Sequence, residues 1–378
     1  MSPEAITILQ VLPALSIGGV ERGTIDIAQA IMAEGGRALV ASAGGRLVPE
    51  LERCGAKHIT LPLDRKAPWS VLTNRARLAR VIREEGVDVV HARSRAPAWS
   101  ALWAARHTGV PFVTTYHGTY SANTRLKRWY NSVMARGDRV IAISDFIASH
   151  VAASYPETDG RLVTIARGID LDAFDPMAVR PERVIRLATE WRLADGAPVV
   201  MLPGRITRWK GHTVAIEALA ALGRPDVQLV LVGEDQGRAA FSAELASLVR
   251  ARGLEGQVRF VGPCRDMPAA LMLADVVISA SIEPEAFGRV AAEGGAMGRL
   301  VIATDHGGAR ETIGVDAGWL VPPGDPAALS AALADALDTD AAERLVIGRR
   351  ARAHVAARFT RAAMQAATLR VYADLVRR

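Results

Sequence analysis

Two short stretches in the second half of the chain carry residues that suit a phosphorylated polyol. Glu283-Pro284-Glu285-Ala286-Phe287-Gly288 is followed by Glu293, eight positions after Glu285. Ionised carboxylates only accept hydrogen bonds, which matches sugar hydroxyls at one end of a ligand and a ribose diol at the other. A helix starting near Phe287 or Gly288 would aim its first amides at phosphates lying between the two glutamates. Eight residues of helix rise about 12 Å, roughly the span from a sugar ring across a diphosphate to a ribose. The plainer alternative is a pair of glutamates held near the positive end of the helix dipole. The second stretch is Gly204-Arg205-Ile206-Thr207-Arg208-Trp209-Lys210-Gly211. Four residues separate Arg205 from Lys210, so a loop can curl both cations toward one diphosphate. The guanidinium acts as a planar fork and the ammonium as a point charge. Fixed cations stabilise the charge that develops on a departing nucleoside diphosphate; otherwise these are ordinary surface charges.

Three stretches of the first half could meet the rest of such a ligand. Ser16-Ile17-Gly18-Gly19-Val20-Glu21-Arg22-Gly23 follows a strand and opens a helix. Glycines there let the backbone approach an anion at the positive helix end, or simply make a tight turn. The spacing is neither GxGxxG nor a P-loop, which argues against a dinucleotide or NTPase site. Thr114-Thr115-Tyr116-His117-Gly118 ends a strand. His117 could touch a sugar or steer an attacking hydroxyl, or serve a structural role. Thr124-Arg125-Leu126-Lys127-Arg128-Trp129-Tyr130, with Arg136 and Arg139 beyond, mixes basic and aromatic side chains. That mixture fits a membrane interface, acidic sugars or a partly packed helix.

The elements that must position these residues alternate short apolar strands with amphipathic helices. Strands are expected over 6–11, 38–41, 87–91, 112–116 and 139–143, with helices over 20–33 and 69–84 among those between them. The rhythm breaks from Leu171 to about Pro198, where Asp175-Pro176 and Arg180-Pro181 read as a linker. It resumes with strands over 199–203, 228–232, 258–261, 276–279 and 301–303. The pattern predicts two Rossmann-like α/β domains facing across a cleft. The first covers 1–172, with a C-terminal helix of about 360–378, and the second 183–359. Ligands of such sheets sit outside the carboxyl ends of the strands, where the glycine-rich turn, the Arg205–Lys210 loop and His117 fall.

Composition bounds the setting. A chain of 378 residues, half of them apolar, supports two cores. No apolar run reaches the 18 or so residues that cross a bilayer. Met1–Ala5 shows no basic leader, so a cytoplasmic location is expected. The two cysteines, Cys54 and Cys264, form no paired motif. Residues 1–167 carry a balance of +7 and the remainder −1, so the first half could meet an anionic membrane or phosphorylated acceptor. No partner nucleic acid is expected. Asp170-Leu171-Asp172 and Asp338-Thr339-Asp340 spell a metal-binding DxD pattern. Neither lies where a first Rossmann half would present a metal, and none is expected.

Taken in order, the motifs resemble those of the family 4 retaining glycosyltransferases of the GT-B fold. The matching residues are Gly18-Gly19-Val20, His117-Gly118, Ala142-Ile143-Ser144, Gly168-Ile169-Asp170, Arg205…Lys210, Val232-Gly233-Glu234, Glu285…Glu293 and Gly318 to Asp325. The resemblance implies sugar transfer from a nucleotide-sugar donor, with retention and without a cofactor. Arg205 and Lys210 would bind the diphosphate, Glu293 the ribose and Glu285 the transferred sugar. The amides of Phe287 and Gly288 would lie near sugar and phosphate. Gly18 and Gly19 would approach the diphosphate, and His117 would face the sugar. His117, Glu285, Arg205 and Lys210 would carry the catalysis, with no nucleophile assigned. The C-terminal helix would cross back to the first domain. Two positions depart from the pattern: Arg167 replaces a usual Asn, and Gly294-Gly295 replaces Ala-Leu, which could make room for a nucleobase or bulky donor. A likeness to lipopolysaccharide core enzymes implies an anionic lipid-linked acceptor at the inner membrane face. GDP-mannose, ADP-heptose and UDP-glucose are all admissible donors. The competing expectations are a soluble acceptor, a sugar-nucleotide epimerase on the same scaffold, or a non-catalytic nucleotide-sugar sensor.

Overall fold

The computed structural model describes residues 6–16, 18–65, 67–120 and 124–377. Ile17 of the glycine-rich turn and the residues 1–5 read for a leader lie outside them. The chain forms two compact units, Met1–Gly168 with Arg361–Arg378, and Ile169–Thr360.

The first unit holds seven strands: β1 (Thr7–Val11), β2 (Arg37–Ser42), β3 (Lys57–Thr60), β4 (Val89–Ala92), β5 (Phe112–Tyr116), β6 (Arg139–Ala142) and β7 (Leu162–Thr164). They pair in parallel in the order β3-β2-β1-β4-β5-β6-β7. Strands β1, β4 and β5 are buried throughout, as expected for a parallel sheet covered on both faces. The order reverses between β1 and β4, a switch point where a doubly wound sheet opens a crevice. The last helix, Arg361–Val376, packs on the helix Gly19–Ala33. Met364, Val371, Tyr372 and Leu375 share a core with Ile25, Ile31, Val113 and Ile141, and Gln365 Nε2 donates to the Asp26 carbonyl at 2.6 Å.

The second unit holds β8 (Val199–Pro203), β9 (Gln228–Val232), β10 (Val258–Gly262), β11 (Val276–Ser279), β12 (Leu300–Thr304) and β13 (Trp319–Val321). Their parallel order is β10-β9-β8-β11-β12-β13, with the switch point between β8 and β11. The core joins Val200, Leu202, Ile216, Leu229, Ile278 and Leu333.

Several expectations are corrected. Strands β3, β7 and β13 were not anticipated: each has three or four residues, lies at a sheet edge and is partly exposed. Edge strands of three or four residues are too short for the continuous apolar run that marks a central one. The stretch read as a linker carries the helix Pro181–Glu190, with Pro181 in its first turn, where a missing amide costs nothing. That stretch is anchored within the second unit. Arg352 donates to the Phe174 carbonyl and to Asp175 Oδ1, and Arg183 pairs with Asp266 at 2.6 Å. The C-terminal helix expected over about 360–378 is Arg361–Val376 in the first unit, and a separate helix, Ala341–Arg358, precedes it in the second.

Candidate functional site

In the second unit the loops after β8 and β11 flank the switch point and meet. Gly211 explains how. Its φ is +74°, and a Cβ there would lie 1.8 Å from the Ala280 carbonyl oxygen. Only glycine permits that approach, and it presses the β8 loop against the end of β11. Lys210 thereby reaches Glu285, with Nζ 2.7 Å from Oε1 and both side chains about nine-tenths buried. Ser279 Oγ donates to the same oxygen at 3.3 Å, as does Ser281 Oγ. Burial pushes the Glu285 carboxyl up, but the Lys210 charge and the three hydrogen bonds outweigh it and hold the group below the usual carboxylate range. Among the described residues these side-chain bonds all fall on Oε1, so Oε2 keeps lone pairs for a ligand. Lys210 Nζ also lies 4.5 Å from the centre of the Trp209 ring.

The Glu285 loop is held by two more glycines. Gly308 N donates to the Glu285 carbonyl at 2.8 Å. A Cβ on Gly307 or Gly308 would strike the backbone of Glu285 or Phe287 within 2.6 Å. The following helix is Arg289–Ala296, capped by Gly288 at φ +85°. Glu285 therefore stands in a loop, and the helical rise of about 12 Å expected between the two glutamates does not apply. Glu293 is 8% exposed and accepts from Arg289 Nε at 2.5 Å, one turn earlier. The Phe287 ring is core, edge-on to Phe359 at 5.4 Å, so only its backbone could serve a ligand. Gly294 and Gly295 make room for the chain itself rather than for a ligand. Cβ atoms there would meet Val301 and Val277, and Val355, at 3.1–3.3 Å. Arg205 is exposed and reaches Gln236 Oε1 at 3.5 Å. Among the described residues no side-chain bond ties it to Lys210 or Glu285.

In the first unit Gly18 caps the helix Gly19–Ala33 in extended backbone. The space above the two glycines is occupied from within the unit. A Cβ on Gly18 would meet the Glu21 carboxylate at 2.4 Å, and one on Gly19 the Arg167 guanidinium at 2.6 Å. Arg167 donates to the Gly19 carbonyl. His117, just past β5, has both ring nitrogens buried without a hydrogen-bond partner among the described residues. Burial holds its imidazole well below the ordinary value, and the charges of Arg93, Arg167 and His91 push the same way. It is a neutral ring.

Two features escaped the sequence reading. Arg93, one residue beyond β4, is only 5% exposed, and its Nε has no partner among the described residues. His91 is clamped between Tyr372 Oη at 2.6 Å and Thr115 Oγ1 at 2.7 Å. Position at the carboxyl end of β4 could have signalled Arg93; nothing local signals a bond from His91 to a tyrosine 281 positions away. The basic segment forms the helix Arg125–Asn131. Trp129 stacks on Trp99 with ring centres 4.7 Å apart, yet stays 51% exposed beside Leu126 at 74%. Three of the four DxD aspartates have structural roles. Asp170 accepts from the amides of Asp172 and Ala173, Asp338 pairs with Arg224, and Asp340 caps a helix.

Residues 17–173 match the family model described as Glycosyltransferase Family 4, and residues 186–354 the model described as Glycosyl transferases group 1. The crystal structure of a glycosyltransferase from Rickettsia africae is 37% identical over 99% of each chain, with a TM-score of 0.91. The D-inositol 3-phosphate glycosyltransferase of Jonesia denitrificans is 32% identical over 293 residues, 70% of this chain and 66% of that one. HepE from Anabaena, solved in complex with UDP-glucose, is 25% identical over 98% of this chain and all of the other, with a TM-score of 0.84.

Proposed function

We propose that this chain, which belongs to the family 4 glycosyltransferases of the GT-B fold, transfers a sugar from a nucleotide diphosphate sugar to a saccharide acceptor with retention of configuration. The observation that carries the reading is the buried Lys210–Glu285 pair at the switch point of the second sheet. A glycosyltransferase must hold a neutral sugar beside a diphosphate that gains charge as the bond breaks. Lys210 supplies fixed positive charge for that moment. Glu285, kept ionised by Lys210, Ser279 and Ser281, accepts from sugar hydroxyls through Oε2. A carboxylate held below its usual range is a poor proton donor, so Glu285 acts as a grip and not as a general acid. Glu293 takes the ribose and the amides of Phe287 and Gly288 the phosphates. Arg205 swings from Gln236 to the diphosphate. His117, neutral, contacts the sugar. No resident metal or cofactor is assigned, and the first unit takes the acceptor.

The test is direct. The full chain is incubated with GDP-mannose, ADP-heptose or UDP-glucose and an acceptor panel, and nucleoside diphosphate release and the anomeric proton of the product are followed. Acceptor-dependent release with a retained anomer supports the reading. An epimer formed without acceptor, or donor binding with no release on any acceptor, would overturn it in favour of an epimerase or a sensor.

The acceptor is proposed to be lipid-linked, as in lipopolysaccharide core or related cell-surface glycan assembly. Exposed Leu126 and Trp129 beside Arg125, Lys127 and Arg128 support it, because apolar side chains among cations seat at an anionic membrane surface. Among the described residues no helix is long and apolar enough to cross a membrane, so the proposed association is peripheral, on the cytoplasmic face.

A further inference from the structure

The first unit contains a cavity of about 20 Å³ against the sheet, beneath the helices Gly19–Ala33 and Arg361–Val376. Its walls include Gly23, Arg93, Thr115, His117, Arg167 and Met364. That is room for about one water or for the tip of a small group entering from outside, since about 10–15 Å³ already admits a water. The polarity is unusual for a core. Among the described residues Arg93, 5% exposed, has no partner for Nε, and both buried His117 ring nitrogens have none either. The Arg167 guanidinium converges with that of Arg93 on Gly23, reaching 3.5 and 3.0 Å from the place of a Cβ there. Glycine at 23 thus leaves the space the two cations use. The Tyr372 hydroxyl and the Asp26 carboxylate both favour the Arg93 charge against its burial. Nearby His91 shows what satisfaction looks like here, with a partner on each ring nitrogen. Buried polar groups normally find partners, so the orphaned donors of Arg93 and His117 mark the place of a missing one.

We infer that this pocket recognises a carboxylate carried by a saccharide substrate, as in a uronic acid. A planar carboxylate suits both the narrow space and the guanidinium fork. A neutral imidazole donates one further hydrogen bond. A tetrahedral phosphate needs more room. The inference rests on the glycosyltransferase reading and adds the charge class of the sugar, which can sit on the donor or on the acceptor.

Isothermal titration of the full chain separates these cases. The donor arm compares UDP-glucuronate with UDP-glucose and GDP-mannuronate with GDP-mannose. The acceptor arm compares methyl glucuronoside with methyl glucoside in the presence of UDP or GDP. The acidic member of one arm is expected to bind tenfold or more tighter, as charge-assisted bonds to a buried site imply, and the arm that responds identifies the source. Arg93→Met should bring the ratio to within about twofold of unity. Should that variant fail to fold by circular dichroism, Arg93→Lys and His117→Gln are expected to lower the ratio at least threefold. Equal binding of acidic and neutral sugars in both arms, with UDP or GDP itself bound, overturns this inference and leaves the transferase reading intact. A preference that survives in the folded Arg93 and His117 variants also overturns it. Failure of every nucleotide and nucleotide sugar to bind removes the transferase reading, and this inference with it.

Discussion

Lys210 Nζ stands 2.7 Å from Glu285 Oε1, although 75 positions separate the two residues. They come from loops on either side of one switch point, and each holds the other's charge in a site with little water. Removing one partner of such a pair costs far more than the pair itself contributes, because a buried charge is left without compensation.

Lys210→Ala is therefore expected to lower stability by about 3–5 kcal/mol and to cut sugar transfer by at least about a hundredfold. Lys210→Met with Glu285→Gln should be more stable than either single variant suggests, since the double change removes both charges. Urea unfolding and nucleoside diphosphate release measure the two effects. Additive stability losses would show that the pair is not coupled.

Gly211→Ala should reproduce the catalytic loss without touching a charged group. The added Cβ meets a carbonyl oxygen at 1.8 Å and the backbone sits at φ +74°. The β8 loop must lift from the end of β11, taking Lys210 away from Glu285. A destabilisation on the order of 2 kcal/mol or more is expected from the clash and strain together. Wild-type transfer in this variant would break the link between loop seating and activity.

Acid should weaken the second unit through His212. Burial pushes this imidazole from 6.5 down to about 4, opposed by the nearby Thr207 backbone and helped by the Lys210 charge, and among the described residues neither ring nitrogen has a hydrogen-bond partner. The unfolded chain takes up the proton first. Stability is therefore complete above about pH 6.5, falls as pH drops toward 4, and changes no further from this group below that. A shift of this size corresponds to roughly 3 kcal/mol across the window. His212→Asn should flatten the slope of unfolding free energy against pH between 6.5 and 4. An unchanged slope would mean that His212 is protonated in the folded state.

Leu126→Glu should weaken binding to vesicles of anionic phospholipid at least fivefold and leave transfer to a water-soluble acceptor unchanged. Leu126 is 74% exposed, so its replacement disturbs no core. Binding by the unaltered protein should also fall as salt rises, because cations on one surface attract anionic lipid over about a Debye length. Co-sedimentation at low and high salt reads both effects; equal pelleting of the two proteins would remove this helix from the membrane surface.

Much of the architecture was legible because parallel sheets advertise themselves. Buried central strands such as Phe112–Tyr116, Val199–Pro203 and Gln228–Val232 read as apolar runs with the ends they have in the fold. The edge strands Lys57–Thr60 and Leu162–Thr164 did not, since a half-exposed strand of three or four residues carries no such run. Glu285 and Lys210 stood out by type and spacing. Arg93 did not, because a lone arginine after a strand is an ordinary surface residue until its burial is known.

The chain's own order of residues determined two α/β units, the loops that carry the charged groups and the family to which they belong, because period, turn chemistry and motif spacing are local properties. Only the tertiary structure decided which charges meet. Crossover connections lay strands from distant parts of the chain side by side, so Lys210 finds Glu285, and Arg93, His117 and Arg167 line one cavity. It also decided that Gly294 and Gly295 serve the packing of Val277, Val301 and Val355 and not a ligand. The physical reason is that burial and the pairing of charge depend on neighbours across the sheet, which no spacing along the chain records.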